Sequence, residues 1–279
     1  MKLASFRRSD KSHGWGLVTD AGIIDLGSET GGLRQALEDG FPWAAHANRK
    51  PDLQIQQIEF LPPIPNPDKI ICVGLNYRSH IAESGREAPS KPVIFTRFAN
   101  SQMGHGQPMI RPNVSEQLDF EGELAVVIGR RGRHISRETA FDHVLGYSCY
   151  NDGSVRDWQR HTNQFAPGKN FVSTGGFGPW IVTTDEIRDV GKHTLVTRLN
   201  GVEVQRTTID DLLFDIPAII EYCSTFTELA PGDVIATGTT GGVGAARNPP
   251  LWMRPGDIVE VEISGIGILR NVVQQETPA

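Results

Sequence analysis

Short β-rich segments separated by turns constrain the fold of this 279-residue chain more than any other feature. Each segment spans four to six residues and contains Val, Ile or Thr, whose branched side chains pack well in strands. Asn-Gly at 200–201 and Pro-Gly-Asp at 231–233 and 255–257 supply turns between them. The sequence therefore predicts a mostly β (α+β) fold with a few peripheral helices. The predicted strands span residues 70–73, 93–96, 123–128, 180–183, 195–199, 234–237 and 258–263.

The predicted helices are few. The longest is expected from residue 208 to about 226, where Thr208 and Asp211 match a capping box and apolar residues recur at helical spacing. Pro217 lies inside this segment and is expected to kink or split the helix. A shorter helix is expected after residue 76, with Asn76 as its N-cap and Gly85 at its end.

The first 64 residues are predicted to form a small N-terminal α/β module. Short strands and turns are followed by a helix at about 33–38. Prolines in the segment 61–67 then favour extended backbone, because each proline fixes its own φ and disfavours helix at the preceding residue. We place the boundary there, which gives a small domain at 1–64 and a larger main domain at 65–279.

Composition excludes several classes of protein. Hydrophobic residues make up 38% of the chain and charged residues 22%, as in ordinary soluble globular proteins. No apolar run approaches the roughly 20 residues that span a bilayer, and the N-terminus lacks the apolar region of a signal peptide. A net charge of −6 with both signs interspersed does not favour nucleic acid. We therefore expect a cytoplasmic protein with no nucleic-acid or membrane partner.

The three cysteines are widely separated in the sequence. Cys72, Cys149 and Cys223 each lie among apolar neighbours. This spacing is typical neither of a disulfide framework nor of a zinc ribbon. We predict three reduced thiols in the core.

Three acids suggest a divalent-metal site. Glu121 and Glu123 lie two residues apart in a hydrophobic, strand-like stretch, so their side chains share one face. Adjacent buried carboxylates repel, and either a proton or a cation relieves the repulsion; a third acid, Asp152, favours the cation. The alternative is an exposed strand end with solvated acids. All-oxygen ligands favour a hard cation over zinc.

A second polar group lies on the short helix after residue 76. His80 and Glu83 are three residues apart and therefore neighbours on one helix face. A carboxylate beside an imidazole fixes its tautomer and raises its basicity, as a water-activating base requires. The alternative interpretation is a surface ion pair.

Further candidates follow the acids along the chain. Arg156 and Gln159 come after Asp152 at helical spacing and could hold an anionic substrate. Lys169 is a cation that could stabilise a developing enolate. The glycine-rich stretch 237–244 lacks the ending of a phosphate loop and is more consistent with Thr239 and backbone N–H groups facing a carboxylate or a carbonyl oxygen. Each could instead be an ordinary solvent-facing helix or loop residue.

Several ordered motifs together make the chain resemble the fumarylacetoacetate hydrolase family from about residue 69 to 273. They are Asn-Tyr-x-x-His-x-x-Glu at 76–83, Asp-Phe-Glu-Gly-Glu-Leu-Ala at 119–125, Asn-Asp-x-Ser-x-Arg-Asp-Trp-Gln at 151–159, Gly-Lys at 168–169, Pro-Gly-Asp-Val-Ile-Ala-Thr-Gly-Thr at 231–239 and Gly-Ile-Gly-Ile-Leu-Arg-Asn at 265–271.

This resemblance implies a fold, a cofactor and roles for individual residues. The fold would be the family's mixed β-sandwich roll, assembled as a homodimer, with Mg²⁺ or Mn²⁺ as the bound metal. The implied site residues are Glu121, Glu123 and Asp152 as metal ligands, His80 and Glu83 as the water-activating pair, Lys169 as a catalytic cation, and Tyr77, Arg156, Gln159 and Thr239 around the substrate.

The sequence departs from the family pattern at three positions near these motifs. Thr240 replaces a common proline, Asn170 replaces a common serine, and Arg97 stands where a lysine is frequent. The three metal-ligand positions are unchanged. These departures bear on the substrate more than on the chemistry.

The resemblance and the residues together predict an enzyme acting on a small-molecule keto acid. We expect hydrolytic cleavage of a carbon–carbon bond in a 2,4-dioxo acid, because both His80 and Glu83 are present to activate water. An isomerase or decarboxylase of a hydroxymuconate-type diacid or of oxaloacetate would use the same metal-stabilised enolate. A metabolite-binding protein without turnover is the alternative of another class.

Overall fold

Strands dominate the fold of the described residues, which are 1–27, 32–85 and 87–277 of the computed structural model. The strands are β1 (Lys2–Arg8), β2 (His13–Thr19), β3 (Gly22–Gly27), β4 (Ile58–Phe60), β5 (Ile70–Gly74), β6 (Val93–Arg97), β7 (Gln102–Met103), β8 (Met109–Arg111), β9 (Leu118–Asp119), β10 (Gly122–Ile128), β11 (Val144–Asp152), β12 (Ser154–Val155), β13 (Gly175–Thr183), β14 (Thr194–Leu199), β15 (Val202–Thr208), β16 (Val234–Thr239), β17 (Ile258–Ile263) and β18 (Gly267–Gln275).

Five α-helices accompany the strands within the described ranges. They are α1 (Gly32–Glu38), α2 (Arg78–Ser84), α3 (Arg156–Gln159), α4 (Ala166–Lys169) and α5 (Ile216–Phe226). Short 3-10 helices occupy Trp43–His46, Ile55–Gln57, Ala99–Ser101, Arg137–His143, Val190–Lys192, Ile209–Asp211 and Gly244–Ala246.

The strands form one large sheet and one smaller sheet. The 11-stranded sheet runs β3-β2-β1-β13-β11-β10-β16-β5-β6, with β4 beside β1 and β7 beside β13. The five-stranded sheet runs β15-β14-β17-β18-β8, and β9 pairs with β12 in a separate ladder. Most pairs are antiparallel, while β5 with β16, β7 with β13 and β8 with β18 are parallel. The expected mostly β, mixed architecture is confirmed.

Strand β10 lies between two hydrophobic layers. Leu124, Val126 and Ile128 pack into a core shared with the five-stranded sheet and α5. Ala125 and Val127 point the other way, into a core shared with the N-terminal strands and α1. Both faces are therefore covered, which explains why the strand reads as a nearly continuous apolar run.

The structure confirms each predicted strand. Observed bounds differ from the predicted ones by a residue or two, except that the segment at 180–183 is only the last part of β13. The Asn200-Gly201 turn joins β14 to β15, and both residues have positive φ angles of 52° and 79°. That geometry is the one a tight hairpin turn requires.

The predicted start of the long helix is wrong. Residue 208 ends β15, Ile209–Asp211 is a 3-10 turn, and α5 begins only at Ile216. Asp215 caps this helix through a 2.9 Å hydrogen bond from the Ala218 N–H group. Pro217 therefore lies in the first turn, where its missing N–H group costs nothing, and it starts the helix instead of kinking it.

Helix α2 is present, but Asn76 does not cap it. Tyr77 occupies the N-cap position without a side-chain hydrogen bond, and Gly85 ends the helix in the left-handed conformation, as predicted. The Asn76 side chain instead donates to the carbonyl oxygens of Thr237 and Phe214, at 2.7 and 3.1 Å. Asn76 thus joins α2 to β16 and to the segment that precedes α5.

The N-terminal strands continue the large sheet. Lys2 and Leu3 of β1 pair with Val182 and Ile181 of β13. The division of the chain at residue 64 stays a prediction. No helix among the described residues is long and apolar enough to cross a membrane.

Candidate active site

Three buried carboxylates meet where β10 and β11 reach one end of the large sheet. Glu121, Glu123 and Asp152 each offer a carboxylate oxygen within 4.8 Å of the others. Their exposed fractions are 5%, 2% and 0%, so the solvated strand end considered as an alternative is excluded. Backbone pairing fixes the approach, because the Asp152 N–H group donates to the Glu121 carbonyl oxygen at 2.8 Å.

Lys169 lies between two of these carboxylates. Its ammonium nitrogen is 2.5 Å from Oε2 of Glu121 and 2.6 Å from Oδ2 of Asp152. Burial lowers the pKa of the Lys169 ammonium, but Asp152 and Glu121 outweigh burial and leave that pKa above its usual value. Lys169 is therefore a fully charged, buried cation in direct contact with the acids.

The Gly-Lys motif has a steric reason. A β-carbon at Gly168 would lie 2.4 Å from the backbone nitrogen of Gln159, so no side chain fits where α4 crosses α3. The short helix α4 can thus bring Lys169 up against β11.

Glu121 is held by two cations. Its Oε1 lies 2.6 Å from Nη2 of Arg156, opposite the oxygen that contacts Lys169. Burial by itself raises the pKa of Glu121, but Arg156 and Lys169 outweigh it and hold that pKa at about 2. Glu121 is consequently a carboxylate at any physiological pH.

None of the cations among the described residues forms an ion pair with Glu123. Its Oε2 accepts a 2.8 Å hydrogen bond from the N–H group of Gly238, a residue with a φ of 108° that favours glycine. Burial, reinforced by the negative charges of Asp152 and Glu121, raises the pKa of Glu123 well above its usual value. The cluster therefore has too little positive charge to ionise all its acids easily.

This arrangement fits a divalent cation. The three side chains supply only carboxylate oxygens, the donors preferred by hard cations, and Glu123 carries a charge deficit that a cation would relieve. Glu121, Glu123 and Asp152 could thus hold a metal ion.

Arg97 is a further cation at the site. In the sequence it was noted only as a departure from the family pattern. It is buried, and its Nη1 donates to Oδ1 of Asp152 at 2.6 Å and to the Gly153 carbonyl oxygen at 3.0 Å. Its remaining nitrogens bond Thr174 and Ser101. Since 55 residues separate Arg97 from Asp152, no local pattern could have indicated this contact.

Asp119 was also without a role. Its carboxylate accepts from Nε of Arg156 at 2.8 Å and from the N–H groups of Gly244 and Ala245 at 2.8 and 2.9 Å. It therefore fixes both Arg156 and the loop after β16. Asp119, Glu121 and Glu123 are each two residues apart, and this spacing could have identified Asp119 as a further acid near the site.

His80 and Glu83 face the same cavity from α2. Nδ1 of His80 lies 3.5 Å from Oε2 of Glu83 and has no hydrogen-bond partner among the described residues. The Glu83 carboxylate accepts from the Gly242 N–H group at 2.9 and 3.0 Å. The pair is thus anchored to the glycine-rich loop and presents an imidazole toward the acids.

The predicted substrate residues fall into two groups. Arg156, Gln159 and Thr239 line the cavity, where Gln159 accepts from Arg156 Nη1 at 2.8 Å and Thr239 donates to the Gly122 carbonyl oxygen at 2.9 Å. Tyr77 does not line it: the ring is fully buried in the core beside Leu212. Contact of any of these residues with a substrate stays a prediction.

The cavity has a volume of about 610 Å³ and opens to solvent. The acids, Lys169, His80 and Glu83 line it, together with apolar side chains from β5 and β6 and the segment 160–165. Phe95 forms part of the wall and lies under the Lys169 ammonium, 5.0 Å from the ring centre. Charged groups at one end and mixed walls at the other suit a small, anionic organic molecule.

The family profile described as "Fumarylacetoacetate (FAA) hydrolase C-terminal" matches residues 69–274, which contain every one of these side chains. The chain belongs to the fumarylacetoacetate hydrolase family. The resemblance drawn from the motifs is therefore confirmed.

Two similar relatives carry the same activity in their names. The chain is 39% identical over 287 residues to the mitochondrial oxaloacetate tautomerase fahd2 of Xenopus laevis, covering 98% of this chain and 90% of that protein. It is 38% identical over 268 residues to the oxaloacetate tautomerase YisK of Bacillus subtilis, covering 90% and 89%. Both of these relatives are thus named as enzymes that act on a small molecule.

Similar solved structures include both isomerases and hydrolases, each aligned over 99% of this chain and 100% of the other. A fumarylacetoacetate hydrolase from Exiguobacterium antarcticum has a TM-score of 0.85 at 35% identity. A 5-carboxymethyl-2-hydroxymuconate delta-isomerase from Mycobacterium smegmatis has 0.80 at 30%, and a maleylpyruvate hydrolase from Sphingobium has 0.81 at 28%. These structures confirm the family fold. They do not decide between a hydrolase and an isomerase.

Proposed function

We propose that the protein is a metal-dependent keto–enol tautomerase of a 2-oxo diacid of the oxaloacetate type. The observation that carries the proposal is the contact of Lys169 with two carboxylates of the acidic triad in a cavity that opens to solvent. Such a site can hold a 2-oxo acid and stabilise its enolate. The named activity of the two relatives supports oxaloacetate over other 2-oxo acids.

A divalent cation, Mg²⁺ or Mn²⁺, bound by Glu121, Glu123 and Asp152 would polarise the 2-oxo group of the substrate. Lys169 would then oppose the negative charge that develops on the enolate oxygen. Arg156 contacts Glu121 and Arg97 contacts Asp152, and these ion pairs would hold the two ligands in position.

The reaction itself moves a single proton. In the enol, the oxygen on the second carbon carries a proton, and a double bond joins the second and third carbons. Conversion to the keto form removes that oxygen-bound proton and adds one to the third carbon. We assign the proton transfer to His80, with Glu83 holding the imidazole, because this pair faces the cavity.

Hydrolysis of a 2,4-dioxo acid is the second candidate. The same His80–Glu83 pair could deprotonate a water that attacks the distal carbonyl, after which the carbon–carbon bond breaks and the enolate fragment takes up a proton. The 610 Å³ cavity leaves room for a substrate longer than oxaloacetate, which favours keeping this candidate. A homodimer and a cytoplasmic location stay predictions from the resemblance and the sequence.

One assay separates the candidates. Decay of enol-oxaloacetate would be followed by ultraviolet absorbance with Mg²⁺ and with EDTA, and an acylpyruvate would be incubated in parallel and its products identified by NMR. We expect metal-dependent acceleration of the enol-to-keto step, its loss in Glu121→Gln, and no cleavage of the acylpyruvate.

His80→Ala tests the proton transfer, and His13→Ala, at an exposed histidine of β2, is the matched control. His80→Ala should bind metal but tautomerise slowly, while His13→Ala should behave as wild type. Metal-dependent formation of pyruvate and a free acid from the acylpyruvate would instead establish the hydrolase. Bound metal without either reaction would overturn both candidates.

A further inference from the structure

We propose that Arg160 is a specificity-determining residue that binds the second carboxylate of the substrate, the one remote from the metal ligands. The inference rests on the proposed function, because it assumes a 2-oxo acid whose first carboxylate faces the acidic triad.

Helix α3 places Arg160 on the side of the cavity. Its backbone N–H group donates to the carbonyl oxygens of Arg156 and Asp157, at 3.2 and 3.1 Å, so the residue continues the helical turn. Arg156, Gln159 and Arg160 are thus spaced i, i+3 and i+4, which brings their side chains to one face. All three line the cavity, with Arg156 buried at its base and Arg160 exposed at its rim.

The cations deeper in the site are already engaged. Arg156 contacts Asp119 and Glu121, and Lys169 contacts Glu121 and Asp152. Arg97 contacts Asp152 and does not line the cavity. None of these three is therefore available to bind a remote carboxylate without giving up a buried ion pair.

Charge balance accounts for only one substrate carboxylate at the base of the cavity. With Glu123 ionised, as metal binding requires, the four carboxylates that include Asp119 face the three cations Arg97, Arg156 and Lys169, which leaves one net negative charge. A bound divalent cation would change this to one net positive charge. One carboxylate of a substrate neutralises it, so a second carboxylate needs another cation.

Arg160 is the cavity residue that meets this need. Within the described ranges the Arg160 guanidinium forms no ion pair. Glu83, the acid that lines the cavity from α2, is already held by the Gly242 N–H group. Its neighbours Thr162 and Asn163 also line the cavity and carry no charge. An unpaired guanidinium above neutral hydrogen-bonding side chains suits a carboxylate, which it can bind through two nitrogens.

The test compares two unreactive ligands that differ only at the remote end. 2-Oxoglutarate and 2-oxovalerate share a carbon chain, but only the first has a terminal carboxylate. Their dissociation constants for the Mg²⁺-loaded protein would be measured by calorimetry for wild type, Arg160→Gln and Arg160→Lys. Arg130→Gln, at an exposed arginine beyond the opposite end of β10, makes the same charge change away from the cavity.

We expect Arg160→Gln to weaken the binding of 2-oxoglutarate by at least about tenfold, as the loss of charge-assisted hydrogen bonds does, and to leave the binding of 2-oxovalerate unchanged. Arg160→Lys should lose less, and Arg130→Gln should match wild type. Equal effects on both ligands, or none on either, would overturn the role of Arg160 while leaving the tautomerase proposal intact. If neither ligand binds wild type and enol-oxaloacetate is not turned over, the proposed function fails and this inference fails with it.

Discussion

The two ends of β10 are equally buried and chemically opposite. At one end Glu123 is 2% exposed, with Glu121 just before the strand at 5%; at the other, Val126, Val127 and Ile128 are fully buried. The apolar end is stabilised by removing hydrocarbon from water. The acidic end is tolerated because Lys169 and Arg156 contact Glu121, while Lys169 and Arg97 contact the neighbouring Asp152 of β11.

This difference separates stability from function along one strand. Burying like charges costs free energy. Proteins retain such charges where they bind a ligand or take part in a reaction. Substitutions at the acidic end should therefore change metal binding and turnover far more than folding, and substitutions at the apolar end should do the reverse. Four predictions test this contrast, in order of decreasing effect.

Glu123→Gln should abolish turnover without unfolding the protein. The amide keeps the shape and accepts the Gly238 hydrogen bond, but it removes a metal ligand and a charge that burial disfavours. We expect kcat/KM to fall at least about 10³-fold, roughly 4 kcal/mol, and the Tm of the metal-free protein to stay level or rise. Calorimetric metal titration and thermal denaturation would check both. A large drop in Tm would contradict the contrast.

Ile128→Ala should show the opposite pattern. Truncation leaves a cavity between β10 and the five-stranded sheet and should cost about 3 kcal/mol in the free energy of unfolding. Urea denaturation measures this cost, and kcat/KM of the folded protein should stay within about twofold of wild type. Loss of metal affinity in this variant would mean that the two ends of the strand are coupled.

Arg97→Met should lower the metal affinity of the site, because Arg97 supports the ligand Asp152 without lining the cavity. It leaves Oδ1 of Asp152 without its buried cation, and such supporting contacts are typically worth about 10- to 100-fold in metal affinity. Arg97→Lys, which restores the residue frequent in the family, is the matched control and should lose less. If both variants bind Mg²⁺ like wild type, Arg97 serves folding alone.

Thiol labelling of the three cysteines tests the apolar layers, and we expect it to show the smallest effect of the four. Cys72, Cys149 and Cys223 are free and buried, as predicted from the sequence, and burial raises the pKa of Cys149 and Cys223 to about 12. A thiol reagent at neutral pH should modify none of them in the native protein and all three in denaturant. Rapid labelling of the native Cys72 would show that the layer below the acids opens.

The sequence predicted local features well and distant contacts poorly. The spacing of Glu121 and Glu123 placed both acids on one face at the start of β10, and the strands and the turn at Asn200 followed from residue type. The predicted start of the long helix at residue 208 was wrong, because Asp215 and Pro217 together favour a helix start more strongly than Thr208 does. Arg97 could not be assigned, since its role depends on how β6 and β11 approach in the folded sheet.

The pairing of β1 with β13 has a consequence for any attempt to shorten this protein. Excising the first 64 residues would remove the strand that pairs with β13 at Val182 and Ile181 and would expose the backbone groups of β13 at that edge. Such an exposed edge is a template for intermolecular strand addition. We therefore expect the N-terminal strands to protect the sheet from aggregation, and a fragment of residues 65–279 to precipitate although it keeps every residue of the candidate active site.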